Sequence, residues 1–306
     1  MTKTFYDTKY GGRIYEDSEG NKSVDYSYVL TTTPERIEER DSLSKTIESL
    51  KNQSVKPKKI HIAIPKHYLR WGIDFDVPQW LNDIPEVEIN RCDDYGPATK
   101  WMCASYVDTE FVIVCDDDRE LKPKTAEILI ASLDDNQSTS FYGMWWWNEL
   151  DEDGRPNEEK WVDETFLICQ AADSWITPTK ILEHFPSFWY RAFNYYEQSF
   201  YVDDVVISAY MKYSGVNMNC MNYDEDDSGA ATNLPTSQSE YSLYNQEEES
   251  TVWLRVEQQT KVRDKMLEMI KTETNLKSFP TNMVIKLTED VIRRDGKQHN
   301  PIIFNE

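Results

Sequence analysis

Short runs rich in β-branched and aromatic residues recur along this chain, and stretches with helix signals separate them. Tyr26–Thr32, Lys59–Ile64 (KIHIAI), Val87–Asn90 and Glu110–Cys115 (EFVIVC) each have the length and composition of a strand. After the first run, Thr33-Pro34 is a helix start with proline at the first helical position. Leu43, Ile47 and Leu50 then share one face of a helix running to about Gln53. Another helix is predicted to begin near Thr99. Strands alternating with helices predict an α/β fold, a mostly parallel central sheet with helices on both faces. Phe141–Trp147 and Thr165–Ala171 are further strand candidates, and a helix opening at Asp203-Asp204 carries Val202, Val205, Val206, Ala209 and Tyr213 on one stripe. Val252–Lys271 predicts a C-terminal helix packed back on the domain. The expected division is an N-terminal arm or hairpin over 1–24 and an α/β domain over 25–225. An acidic linker with a C-terminal helical extension follows over 226–306.

Charge narrows the function. Asp+Glu number 55 against 33 Lys+Arg, a formal net charge of −22. Nucleic-acid backbones and anionic membrane faces are bound through Lys and Arg, so neither is an expected partner. The most conspicuous apolar run, Phe111–Cys115, is far too short to span a bilayer, and the first residues have no apolar core of a secretory signal. The five Cys form no close metal-binding pair and read as reduced thiols, so the expectation is a cytoplasmic protein. Aromatic residues make up 13% of the chain, which predicts an aromatic-rich core and a pocket.

Three local features could carry chemistry. Asp116-Asp117-Asp118 directly follows an apolar strand, where three carboxylates repel one another unless a cation offsets them. Hard cations such as Mg²⁺ or Mn²⁺ suit carboxylate oxygens, and strand alternation would put Asp116 and Asp118 on one side and Asp117 on the other. A solvated acidic turn is the plainer account. Asp93-Asp94-Tyr95-Gly96-Pro97-Ala98-Thr99-Lys100 combines a tight Gly-Pro turn, at which backbone can approach a ligand, with a lysine on the first turn of a helix. That position favours an anion such as a diphosphate, although an ordinary turn with a surface lysine would look the same. Asp203-Asp204 opens a helix beside Trp189, Tyr190, Tyr195, Tyr196, Phe200 and Tyr201. The acidic pair is either a helix cap or part of a site, and the aromatic cluster is either core or a surface on which a sugar ring stacks.

Taken in order, these pieces resemble a nucleotide-sugar-dependent glycosyltransferase of the GT-A fold, similar to the family-2-like enzymes. The matching segments are Leu30–Arg36, Ser49–Gln53, Asp94–Lys100, the strand into Asp116-Asp117-Asp118, and Asp203-Asp204, together spanning about 26–215. The resemblance implies nucleoside and nucleotide-sugar contacts from Thr32, Thr33, Arg36 and Asp93 or Asp94. It implies a diphosphate contact from Lys100, ribose or metal-shell contacts from Asp116 and Asp117, and a DxD-type metal site at Asp118 with Asp116, holding Mn²⁺ or Mg²⁺. It makes Asp204, with Asp203 beside it, the catalytic base.

The implied enzyme moves a sugar from a nucleoside-diphosphate sugar to a hydroxyl of a carbohydrate or glycoconjugate acceptor. A single displacement assisted by one carboxylate inverts the anomeric centre. Two other readings remain open. A sugar-phosphate nucleotidylyltransferase shares the architecture but carries a Gly-rich loop where this chain has Thr31–Arg36. A non-catalytic carbohydrate- or cation-binding protein would need the aromatics and the Asp run but no base.

Overall fold

The computed structural model describes residues 4–7, 13–16, 19–20, 22–133, 137–144, 168–220, 231–235 and 249–272. Its centre is a seven-stranded sheet, whose strands are numbered here in chain order. They are β1 (Tyr26–Thr31), β2 (Ile60–Pro65), β3 (Val87–Cys92), β4 (Phe111–Val114), β5 (Gln137–Met144), β6 (Ile168–Pro178) and β7 (Asn217–Cys220). The spatial order is β3-β2-β1-β4-β6-β5-β7. β1 pairs in parallel with β4 and β2, β2 with β3, and β5 with β7, whereas β6 runs antiparallel to both β4 and β5. The protein is thus α/β, with a mixed but mostly parallel sheet.

Both sheet faces are covered, which is why the central strands are apolar throughout instead of alternating. Tyr26, Tyr28 and Leu30 of β1 and Ile113 of β4 face one layer, formed by α1 (Pro34–Glu39), α2 (Asp41–Lys51) and, further along the chain, Thr125–Ala131. Val29, Val112 and Val114 face the other layer. There Trp101 of α3 (Thr99–Ala104), Trp189 of α5 (Phe185–Tyr195) and Val206 of α6 (Asp203–Tyr213) pack together, numbering the Thr125–Ala131 helix α4. Val262, Met266 and Met269 of α7 (Glu249–Thr272) complete this second layer. The N-terminal strands Thr4–Asp7 and Arg13–Glu16 form an antiparallel pair, joined through Lys22–Ser23 to Val55–Lys56.

Two expected elements are redrawn. The helix read from Thr33 to Gln53 is two helices, because Arg40 adopts a positive φ of 57° that ends α1 and redirects the chain into α2. Leu43, Ile47 and Leu50 are buried on α2 as their spacing required. The strand read at Thr165–Ala171 extends to Pro178, and its start at 165–167 lies outside the described residues. Trp145–Trp147 also lie outside them.

Candidate functional site

In an open sheet with helices on both faces, ligands settle beyond the carboxyl ends of the strands where the strand order reverses. Here the order runs outward from β1 to β2 and β3 on one side and from β4 on the other, so that point lies between β1 and β4. The chain leaves β1 through Thr32, Thr33 and Arg36 and leaves β4 through Asp116-Asp117-Asp118. Topology therefore brings to one place two segments separated by about eighty residues of sequence.

The acidic run is fixed through its backbone. Cys115 N–H donates to Val29 O at 3.2 Å, Thr46 Oγ1 of α2 donates to Asp117 O at 2.9 Å, and Leu234 N–H donates to Asp118 O at 3.0 Å. β4 has already ended at Val114, so strand alternation does not govern the three side chains. Asp117 and Asp118 turn the same way, both onto Arg36, with Arg36 Nη2 at 2.8 Å from Asp118 Oδ2. Asp116 instead meets Lys100. This corrects the expectation that Asp116 and Asp118 would share a side.

Lys100 is a buried strut, not the surface lysine that an ordinary turn would carry. Only 5% exposed, it lies 2.6 Å from Asp116 Oδ1 and 3.2 Å from Asp203 Oδ2, tying the end of β4 to the start of α6. Burial alone would lower its pKa, but Asp116, Asp203 and Asp204 outweigh that and hold it well above the usual lysine range. Asp116 is pulled the opposite way. Burial raises its pKa, yet Lys100, Arg119 and Arg36 bring it below the ordinary carboxylate value.

Asp203 and Asp204 divide the work of the acidic pair. Asp203 is buried against Lys100, and Asp204 is half-buried and accepts a bond from Ala171 N–H at 3.2 Å. Neither acts as the side-chain cap of α6, which starts from Val202. The start of a helix favours an ionised carboxylate. Burial and the neighbouring Asp203 dominate instead, raising the Asp204 pKa well above the usual range. Asp94 is engaged structurally, accepting from Leu69 N–H and Gly96 N–H at 2.8 Å each, while Asp93 is exposed. Thr32 is buried, its hydroxyl without a hydrogen-bond partner among the described residues, and Thr33 is half-buried at the start of α1 without a side-chain capping bond.

The Gly-Pro turn does admit a close approach, but to the protein itself. Gly96 has a φ of +61°, and a Cβ there would come within 2.5 Å of Phe200 O. Trp189, Tyr190 and Phe200 are buried in the second core layer, and Tyr195, Tyr196 and Tyr201 pack partly buried against it. The aromatic cluster is core wall, which removes the sugar-stacking reading for Trp189 and Phe200.

Two residues of the network were not anticipated. Arg119 Nη1 lies 3.2 Å from Asp173 Oδ1, and Arg119 Nε is 3.8 Å from Asp118 Oδ1. The Arg119 signal was visible as the residue ending Asp-Asp-Asp-Arg. Asp173 gave no signal, because the strand read from the sequence stops at Ala171 and only the structure carries it on to Pro178.

The carboxylates Asp116, Asp117, Asp118, Asp173, Asp203 and Asp204 outnumber Arg36, Lys100 and Arg119, the cations that reach them. Asp118 shows the result. Burial raises its pKa and Arg36 opposes, but Asp117 and Asp116 help push it up to about 6. Among the described residues no three His, Cys, Asp or Glu side chains converge as a metal cage. The donor set nevertheless fits a hard cation held by one or two carboxylates, because Asp117 Oδ2 is buried with no hydrogen-bond partner among the described residues and Asp116 is a third exposed. A cavity of about 560 Å³ opens elsewhere, lined by His61, Glu88, Asn90, Cys103 and Tyr190 among others; it takes Tyr95 and Tyr190 from the segments the sequence singled out, but none of the expected carboxylates, threonines or cations.

No protein-family model and no curated protein matches this chain. Several solved structures show distant likeness. The glycosyltransferase GlyE in Streptococcus pneumoniae TIGR4 is 10% identical, with a TM-score of 0.43 over 86% of this chain and 66% of that one. TarS 1-349 of S. aureus is 11% identical, with a TM-score of 0.40 over 82% of this chain and 74% of that one. The bifunctional IspDF from Campylobacter jejuni is 14% identical, with a TM-score of 0.41 over 70% of this chain. The match covers 53% of IspDF, about half its length. Likeness at this level says nothing of substrate or reaction. No helix among the described residues is long and apolar enough to cross a membrane.

Proposed function

We propose that this chain is a glycosyltransferase moving a sugar from a nucleoside-diphosphate sugar to an acceptor hydroxyl. The observation supporting it is the convergence, at the β1–β4 switch point, of Arg36, Lys100 and Arg119 with a larger number of buried carboxylates. Such a crevice has both cations for a phosphorylated donor and a carboxylate for proton removal.

Thr32, Thr33, Arg36 and the exposed Asp93 would bind the nucleoside. Asp116, with Asp118 or the Oδ2 of Asp117 beside it, would hold Mn²⁺ or Mg²⁺, and Lys100 would complete the charge around them. A divalent cation bound there would supply Lewis-acid stabilisation of the departing diphosphate. Asp204 would take the proton from the acceptor hydroxyl as its oxygen bonds to the anomeric carbon. The bond from that carbon to the phosphate oxygen breaks, its electron pair leaving with the nucleoside diphosphate, and the centre inverts. Burial and Asp203 favour the neutral form of Asp204, and the attraction of Lys100 opposes them, favouring the ionised form that a base requires.

The test is a screen of nucleotide sugars, with and without simple sugar acceptors, for nucleoside diphosphate release that requires Mn²⁺ or Mg²⁺. Release that chelator abolishes and Asp204→Asn depresses is the expected result. Pyrophosphate release from a nucleoside triphosphate and a sugar phosphate would make the chain a nucleotidylyltransferase, and no release from either substrate set would make it a binding protein.

A further inference from the structure

We propose that Arg119, anchored by Asp173, receives an anionic oxygen of the donor's diphosphate, a task the sequence suggested for Lys100; this rests on the nucleotide-sugar reading above. Lys100 has two carboxylates on it and Arg36 has Asp117 and Asp118. Arg119 differs. Among the described residues its Nε is buried with no hydrogen-bond partner, the Asp118 oxygen near it being 3.8 Å away and beyond bonding reach. A buried N–H has given up water, so an oxygen brought by a ligand would restore the missing bond.

The other end of the guanidinium is held from an unusual place. Asp173 is 2% exposed in β6, within a strand whose neighbours are largely buried and apolar. Pairing between β5 and β6 slips between Ser140 and Tyr142, and Ser174 next to Asp173 takes a φ of 115°. An irregularity of this kind re-aims a side chain that strict alternation would send elsewhere. Here it points a carboxylate at Arg119, 3.2 Å away. A planar guanidinium ion-paired at one nitrogen, with another N–H lacking an acceptor among the described residues, is suited to a phosphate oxygen. Asp173 is the positioning residue, since it acts only through Arg119.

The experiment is calorimetric titration of inorganic pyrophosphate, and of UDP, GDP, CDP and ADP, into the full chain in Mg²⁺ buffer. Arg119→Gln is compared with Arg119→Lys, Asp173→Asn and the double variant Arg119→Gln/Asp173→Asn, which removes both charges of the pair together. Arg119→Gln should weaken pyrophosphate about ten- to a hundredfold, and Arg119→Lys should recover part of the loss. Asp173→Asn should weaken it several-fold, and the double variant should be no weaker than Arg119→Gln alone. If the wild type binds the probes and the double variant, folded by its near-ultraviolet circular dichroism, binds them equally well, Arg119 has no such role while the nucleotide-sugar reading stands. If the wild type binds none of the probes, that reading fails and takes the proposal with it.

Discussion

Lys100 lies between Asp116 and Asp203 while almost wholly buried, so removing its charge strands two carboxylates in the interior. Lys100→Met should cost roughly 3 kcal/mol of stability, the low end for a broken buried pair because Asp116 is partly exposed. Asp203→Asn in the same chain should recover part of that loss. Denaturant unfolding of the single and double variants measures both, and a Lys100→Met protein as stable as wild type would mean that Lys100 is not a strut. Asp118 makes a pH prediction. Its folded pKa is raised from 3.8 to about 6, so stability linked to the protonated form is complete below about 3.8 and lost as pH rises through about 6. Asp118→Asn mimics the protonated form and should flatten that part of the melting-temperature profile in chelator. Parallel profiles for the two proteins would contradict the shift. At the proposed base, Asp204→Asn keeps an oxygen for the Ala171 N–H but loses basicity. Transfer should fall about 10²–10⁴-fold with nucleotide affinity near wild type. Normal turnover would remove Asp204 from the chemistry.

At the scale of elements, the turn from Asp94 to Lys100 is held by more than its Gly-Pro pair. Asp94 bonds the N–H groups of Leu69 and Gly96, and Tyr95 N–H donates to Thr99 Oγ1 at 3.0 Å. Gly96 is required twice over, by its positive φ and by Phe200 O lying where a Cβ would go. Gly96→Ala should therefore destabilise the fold by about 2 kcal/mol or more. It should also loosen the register of α3, which carries Lys100. Thermal melting gives the first effect, and hydrogen exchange across Thr99–Ala104 gives the second. A variant that melted with wild type and kept that protection would show that the turn relaxes without cost.

Across the whole molecule, α7 brings residues from far down the chain into the core layer that carries α6. Met266 is fully buried there with Val262 and Met269. Met266→Ala should cost about 2–5 kcal/mol, and its melting temperature should fall accordingly; a melt unchanged from wild type would mean that α7 does not hold this layer. This layer and the other on the sheet are legible in the sequence, because apolar runs of strand length alternating with helix signals can bury themselves in few ways. The spacing of Leu43, Ile47 and Leu50 and the run ending at Asp116 are local properties of the chain, and they placed α2 and the acidic turn without a structure. The break at Arg40 depends on one backbone angle that the surrounding fold imposes. Whether Trp189 and Phe200 were core or sugar platform depended on what packed beyond them, which composition does not record. The partners of the carboxylates depended on side chains distant in sequence. Arg36 reaches Asp117 and Asp118 only because β1 and β4 are neighbours, Lys100 reaches Asp203 only because α3 and α6 share a layer, and Asp173 reaches Arg119 through an irregularity in β6. The sequence by itself determined the α/β class and which acidic and basic residues were available. Tertiary structure alone decided which charges meet, because ion pairing depends on distances of a few ångströms between segments that only the folded sheet brings together.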